Sequence, residues 1–382
     1  MDTIFDIYTI QKIEKIISQI NTFLDNGVQK RMILEKLAGT KLIEEILDIA
    51  IARRRFREKG VDKKLCLNSA DFRFSTPKIV ADYRAERLKC STIADLGCGT
   101  GMQSFSFAKK CKKVYAVEID ERKLRYAKEN AKLLGIKNIE FIHGDVLDEK
   151  IIKKIKDADI FFSDPSRLPS ETERKLETIL PDPRILLKKY PKNIAIEFPP
   201  QIQEIDFDCE REYLSVRGFL NRLTLYFGTL KKANYSAVAL PSKERLESSK
   251  KEEAVLMNKK GLPLDYIYEI DSAILKAGLA VKLAEKTKTV AYETNLLTSG
   301  KLIESPFFRN SFKVLEACHS YFESIVKALQ KHKIGQIVLR QRIDPKLYWK
   351  TRNDYEKNLK GEKVAHLFIF EKAVVAEKIG LL

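Results

Sequence analysis

The sequence predicts an α/β protein: a doubly wound, largely parallel sheet, preceded by a helical domain and followed by a small α+β domain. Three observations carry that prediction. The run Ile93-Ala94-Asp95-Leu96-Gly97-Cys98-Gly99-Thr100-Gly101 is a short apolar strand that reaches an acid and then three glycines at alternate positions. Residues without a β-carbon allow a sharp strand-to-helix turn and close approach of a ligand. Similar apolar runs recur ahead of Glu118, Asp145 and Asp164, and near-continuous apolar runs are the mark of parallel strands buried on both faces. Finally, Ile10, Ile13, Ile16, Ile17, Ile20 and Phe23 recur every three or four residues, the signature of a helix with one buried stripe.

Taken in order, residues 1–70 read as wholly helical. The first long helix stops at Gly27, a second is expected over 29–38, and a third over 42–59 with Ile43, Ile46, Leu47, Ile49 and Ile51 inward. The third ends in Arg53, Arg54, Arg55, Arg57 and Lys59, with Lys63 and Lys64 beyond Gly60. Cations favour a helix C-terminus. The surplus suits either a phosphate-contacting face or a solvated one. Residues 71–90 read as an extended segment through Phe72 and Phe74. A helix then opens at Pro77 and carries Tyr83, Arg84 and Arg87.

The central domain is expected over 71–242. Helices at 102–111 and 121–134, the latter capped by Asp120, alternate with strands at 114–117, 138–142 and 158–163. A short helix at 148–155 precedes the last of these. A proline-punctuated loop over 165–182 follows, then a helix at 183–190 and a strand at 192–198 that ends at Pro199-Pro200. Runs at 212–217, 221–228 and 235–240 read as strands, the middle one an arm of an antiparallel pair that closes the sheet. The charged stretch 243–262 reads as a linker. Residues 263–382 form the third domain, with helices at 271–286, 311–330 and 345–358, a strand at 334–340, and a hairpin of 364–370 with 373–378. Tyr348 and Trp349 read as packing residues of their helix ahead of stacking platforms.

The glycine spacing is G-x-G-x-G, not the G-x-G-x-x-G that seats a pyrophosphate on a helix N-terminus. S-adenosylmethionine has no pyrophosphate, and its ammonium group calls for an acid or carbonyl nearby. Asp95, Gly97, Gly99 and Gly101 suit that end of it, Glu118 the ribose hydroxyls and Asp145 the adenine amino group. Each acid has a plainer reading as a helix cap or turn residue. Asp164, Pro165, Ser166 and Arg167 follow the fourth strand. There Asp164 or a backbone carbonyl suits a hydrogen bond from a target nitrogen, proline stiffens the loop, and Arg167 suits a phosphate or a base oxygen or an ion pair with Asp164 or Glu173. The Asp-Pro-x-Arg form resembles the loop of enzymes that methylate uridine at C5, a resemblance that implies a cysteine near the end of the fifth strand. This strand ends Ile196-Glu197-Phe198-Pro199-Pro200, with Cys209 well beyond. Nitrogen is the better target. Phe198, Phe72 and Phe74 are candidate platforms for a base.

The 382 residues carry 70 Lys and Arg against 53 Asp and Glu, a formal charge of +17. That balance fits RNA or another anionic partner, and equally a highly charged solvated surface. Six cysteines without a C-x-x-C pair, and only four histidines, argue against a metal site. No signal-peptide pattern or 18-residue apolar run is present, so a cytoplasmic location is expected.

These residues together resemble prokaryotic class I methyltransferases with a THUMP-like C-terminal domain. The resemblance rests on Ser75-Thr76-Pro77, on 80–87, on the glycine loop and on 164–167. It extends to Tyr266-Ile267-Tyr268-Glu269 with Asp271, Phe308-Arg309 with Phe312, Arg342 and the closing hairpin. Ile270, Ile343 and Leu168 depart from the family's usual proline, glycine and second arginine. The resemblance implies a Rossmann-like class I methyltransferase sheet, S-adenosylmethionine as cofactor, and methylation of a base nitrogen in tRNA or rRNA. In that reading Arg53, Arg54, Arg55, Arg57, Arg84, Arg87, Arg309, Arg340 and Arg342 are candidate RNA contacts. Methylation of protein or a small molecule, and an inactive RNA-binding homologue, are the alternatives.

Overall fold

The computed structural model describes residues 3–167, 176–191, 193–202, 205–250, 261–340 and 343–380. Two compact units result: Met1–Cys209 with Thr224–Lys232, and Glu210–Leu223 with Ala233–Leu382. This differs from the partition expected at residues 70 and 242. The N-terminal helices share a unit with the parallel sheet, and the hairpin expected to close that sheet lies largely with the C-terminal part.

In the first unit, α1 (Ile4–Ile7), α2 (Ile10–Asp25), α3 (Lys30–Lys36) and α4 (Ile43–Arg53) form a bundle with one helix more than expected; α4 stops at Arg53 where a helix to Lys59 was expected, and 61–68 is not helical. Ile13, Ile16, Ile17 and Ile20 of α2 pack with Ile46, Leu47 and Ile49 of α4. A 3-10 turn, Phe56–Lys59, follows α4. The same apolar cluster takes in Tyr126 of α8 (Glu121–Leu133), and Asn130 of that helix exchanges two hydrogen bonds with the Cys66 backbone, at 2.8 and 3.0 Å. These contacts are why the bundle is not a separate domain. Between them lie α5 (Ser69–Phe74) and α6 (Lys78–Arg87). The segment through Phe72 and Phe74 is therefore helical, not extended: the Asn68 side chain caps it and buries Phe72 against Phe56, 5.2 Å between ring centroids.

The sheet of this unit alternates strand and helix: β1 (Thr92–Leu96), α7 (Met102–Ala108), β2 (Lys113–Glu118), α8, β3 (Ile139–His143), α9 (Glu149–Lys154) and β4 (Ile160–Ser163). Two-residue strands β5 (Ser166–Arg167) and β6 (Ile179–Leu180) pair antiparallel inside the proline-rich loop, and α10 (Pro183–Lys189) and β7 (Ile194–Phe198) follow. The spatial order is β7-β4-β1-β2-β3, all parallel. The end of β9 (Phe219–Tyr226) lies beside β7. Winding reverses between β1 and β4. Such a reversal marks the carboxyl ends of those two strands as the usual ligand position in open α/β sheets.

The second unit contains β8 (Glu210–Val216), the start of β9, β10 (Tyr235–Leu240) and β11 (Glu244–Ser248). β10 runs parallel to β8, and β11 antiparallel to β10, so residues 244–248 form a strand where a linker was expected. Residues 251–260 of that linker lie outside the described residues. A seven-stranded sheet follows, in the order β13-β14-β12-β15-β18-β17-β16. It is built from β12 (Tyr266–Ile270), β13 (Val290–Glu293), β14 (Leu296–Ser299), β15 (Phe308–His319), β16 (Ile334–Leu339), β17 (Lys363–Ile369) and β18 (Lys372–Ile379). The helix expected over 311–330 is instead β15 followed by α13 (Phe322–Lys331). A bulge between Val314 and Glu316 breaks the period-two pattern that would mark this strand. The helix expected over 271–286 divides into α11 (Ser272–Ala277) and α12 (Ala280–Thr287), because Gly278 takes a left-handed φ of 68°. The last helix, α14 (Pro345–Glu356), and the β17–β18 hairpin stand as expected.

A β-carbon on Gly335 of β16 would lie 1.8 Å from the Gly361 carbonyl oxygen, whereas one on Gly300 would meet nothing within 4 Å. Gly335→Ala should therefore destabilise the second unit by roughly 3 kcal/mol, and Gly300→Ala should be close to neutral. Urea unfolding followed by the emission of Trp349, the one tryptophan of the chain, measures both. Equal midpoints for the two variants would contradict the packing described here.

Candidate active site

β1 is buried along nearly its whole length, so its one charge comes near its carboxyl end. Asp95 is 1% exposed, and one carboxylate oxygen accepts a hydrogen bond from the Ser104 hydroxyl on α7. Burial pushes its pKa up to about 7. The Ser104 hydrogen bond opposes this, the negative charge of Asp164 adds to it, Arg84 opposes it and Glu118 adds to it.

Beyond Asp95 the amides of Gly97 and Cys98 both donate to the Val117 carbonyl at 2.9 Å, pinning the turn to the end of β2. The three glycines serve two purposes. A β-carbon on Gly101, the N-cap of α7, would lie 2.5 Å from the Phe105 ring, so that glycine is required by packing. Gly97 and Gly99 also have left-handed φ, 92° and 55°, but β-carbons there would meet nothing within 4 Å among the described residues. Among those residues, the space over these two is open.

Glu118 ends β2. Its carboxylate accepts from the Gly99 amide at 2.7 Å through one oxygen and from the Asp120 amide at 3.0 Å through the other. Each oxygen keeps a lone pair for a hydroxyl donor. Ile119, next in the chain, is 64% exposed, and its carbonyl lies 3.0 Å from Nε2 of His143. This apolar surface beside Glu118 suits the face of a purine. Sequence reasoning passed over it, although an isoleucine between two acids at a strand end was a readable signal. Asp145 is exposed after β3, with one oxygen accepting from the Leu147 amide at 2.8 Å. It is a turn residue whose second oxygen has no hydrogen-bond partner among the described residues.

Asp164 follows β4 and is exposed, near enough to Asp95 to influence its ionisation. Ser163 just before it is buried and donates to the Leu96 carbonyl at 3.3 Å, tying the ends of β4 and β1 together. Pro165 is half-buried. Ser166 donates to the Leu180 carbonyl at 3.3 Å, and its backbone and that of Arg167 pair with β6. The Arg167 side chain, Leu168 and Glu173 lie outside the described residues. The structure thus brings Asp95, Gly97, Gly99, Glu118 and the Asp164 loop to the carboxyl edge of neighbouring strands. Among the described residues, no group of three or more His, Cys, Asp or Glu is placed to hold a metal ion.

Several expected RNA contacts are spent elsewhere. Arg84 is 2% exposed and pairs with the buried Glu197, also donating to Gln103 at 2.7 Å, with its guanidinium 4.7 Å from the Phe162 ring centroid. It is an interior residue. Phe198 is 2% exposed and belongs to the core, so it is no platform for a base; Phe72 is likewise buried, while Phe74 is 72% exposed. Arg53 is held by Glu14 and the Leu65 and Lys64 carbonyls, Arg54 by Asp25 and Arg55 by Glu58. Arg57 is exposed and, among the described residues, has no carboxylate partner. Arg87 lies 4.0 Å over the Tyr226 ring. In the second unit Arg309 lies 4.2 Å over Phe219. Arg340 donates to Nδ1 of His366 at 2.9 Å and reaches Glu269 at 3.4 Å. Burial, with the Arg340 and Lys378 charges, pushes His366 down to about 4, which keeps that nitrogen an acceptor. Arg342 lies outside the described residues.

The parallel strand order, the glycine turn and the strand-end acids define a Rossmann-like methyltransferase fold. Residues 89–220 match the family model of a methyltransferase domain. An uncharacterized RNA methyltransferase of Clostridium tetani is 39% identical over 103 residues, which is 27% of this chain and 22% of that protein. One of Gloeobacter violaceus is 34% identical over 145 residues, 38% of this chain and 29% of that protein. The chain thus spans less than a third of the length of these curated relatives. The crystal structure of a candidate methyltransferase from Porphyromonas gingivalis W83 shares the fold over 98% of this chain and 100% of its own, with a TM-score of 0.76 at 18% identity.

A carboxyl whose pKa rises on folding stabilises the native state most below its unfolded value, near 3.8, and that contribution is lost as pH climbs through about 7. Asp95→Asn keeps an acceptor for Ser104 and cannot ionise. Relative to the natural protein it should gain stability between pH 4 and pH 7, by an amount on the order of a few kcal/mol, and level off above. Thermal unfolding across that range measures the difference; a gap that does not change with pH would show Asp95 to be ionised throughout.

Proposed function

We propose that the protein is an S-adenosylmethionine-dependent methyltransferase acting on a base nitrogen of tRNA or rRNA. One observation carries this reading most: the open space over Gly97 and Gly99, with Asp95 and Glu118 beside it and the Asp164 loop at the next strand end. These residues fit the cofactor. Asp95 would hold its ammonium group, the free lone pairs of Glu118 its ribose hydroxyls, the exposed side chain of Ile119 its adenine face, and Asp145 its adenine amino group. When bound, the cofactor supplies an electrophilic methyl group on a sulfonium.

The chain's own contribution is alignment. The Asp164 carboxylate accepts a hydrogen bond from the target amine, which turns the nitrogen lone pair away from that bond, and it can receive the proton the amine sheds. Pro165 limits the swing of the loop, and the short β5–β6 pairing braces its far side. RNA as substrate is supported by the names of the relatives and by the excess of 70 basic over 53 acidic residues. Arg57, Lys63 and Lys64, exposed and without carboxylate partners among the described residues, are the phosphate contacts this reading keeps from the N-terminal cluster. The C-terminal unit takes the part of the THUMP-like domain, gripping RNA in a cytoplasmic enzyme.

Asp164→Ala should lower methyl transfer at least 100-fold while changing cofactor affinity less than about threefold. Incubation with methyl-labelled cofactor and either total RNA or total cell protein, followed by nucleoside digestion, reads both the substrate and the atom. Label in protein alone would overturn the RNA reading. Equal loss of binding and transfer would move Asp164 from the substrate to the cofactor.

A further inference from the structure

The outer face of α14 departs from its sequence reading. Tyr355 is buried and stacks on Phe322, 4.8 Å between centroids, and Tyr348 packs on the same core. Trp349 does not join them: it is 62% exposed. Positions 346, 349, 350 and 353 share one helical face, and all four residues there, Lys346, Trp349, Lys350 and Asn353, are exposed. Among the described residues the ion pairs of α14 are Arg352–Glu356 and that of Asp354 with Lys357 just past its end. Among the described residues Lys346 and Lys350 have none.

The indole is also held in place. The Arg352 guanidinium lies 5.3 Å from its centroid, and the Tyr348 ring meets it at 87° with centroids 5.5 Å apart. Arg352 in turn donates to Glu356 at 2.8 Å, and the same Glu356 oxygen accepts from the Ile337 amide of β16 at 2.8 Å. A chain of contacts from the sheet thus braces a large aromatic ring against solvent. An isolated exposed ring needs no such support.

We propose that this face is a stacking platform for an unpaired RNA base, with Trp349 taking the base and Lys346 and Lys350 the flanking phosphates. The proposal rests on the RNA reading given above. Aromatic rings between cations are how single strands are held without reading their sequence. Protein interfaces, by contrast, deplete lysine around their aromatic anchors. A chain of formal charge +17 favours the polyanion further.

Because Trp349 is the only tryptophan, its emission reports the platform in the full-length protein. A short single-stranded oligouridine should quench it saturably, with the dissociation constant that anisotropy of a labelled copy gives. A blunt duplex of the same length should leave the emission unchanged. By anisotropy, Trp349→Ala should weaken single-strand binding roughly 5- to 100-fold, and Trp349→Phe less. Lys346→Glu with Lys350→Glu should lower the salt slope by roughly 1.4, two phosphates at about 0.7 each. RNA binding with unmoved emission and an unaffected Trp349→Ala variant would overturn the platform alone. No binding by anisotropy would remove the RNA reading with it. Emission that shifts on diluting the protein by itself would assign the face to a second copy of the chain, against the proposal.

Discussion

Two buried charges hold each other beneath the carboxyl edge of the parallel sheet. Arg84 on α6 meets Glu197 on β7, with Gln103 of α7 on another guanidinium nitrogen and the Phe162 ring of β4 alongside. Four elements are joined through one side chain. Losing either partner would leave an uncompensated charge in the interior, costing about 3–5 kcal/mol. The pair therefore fixes where α6 and α7 lie against β4 and β7. The same guanidinium favours ionised Asp95, so an element of the framework also tunes the site above it.

That site is a gathering of like charges. Asp95, Glu118 and Asp164 all come from strand ends that the parallel topology brings together, and two of them make the third harder to ionise. A hydrophobic interior would relieve this by protonation; an arriving cation would relieve it by pairing. The glycine turn supplies the room, since among the described residues nothing lies within 4 Å of where a β-carbon on Gly97 or Gly99 would stand. Burial and like charge thus favour a positively charged ligand.

Arginine roles were the least legible part of the sequence. Arg53, Arg54, Arg55, Arg57, Arg84 and Arg87 all read as candidate RNA contacts, because a basic residue carries no sign of whether it faces inward. A clue for Arg84 did exist. Glu197 sits alone in an apolar strand, and a lone charge in such a strand requires a buried partner. In the C-terminal unit the period of apolar residues failed at β15, where the bulge after Val314 shifts the inward face by one residue. Trp349 failed in the opposite sense: helical spacing placed it with the core, while the helix turns it outward and Arg352 supports it there.

The sequence by itself determined the parallel core, its glycine turn and the acids at the ends of its strands. Those features are local: an apolar run, a missing β-carbon and the residue that ends a strand are all read within a few positions. Only the tertiary structure decided which cations pair and which stay exposed, that the N-terminal helices share a core with α8, and how 244–248 and 266–319 divide into strands and helices. These depend on partners distant in the chain, as Arg84 and Glu197 are, and burial of a charge is settled only where its counter-charge arrives.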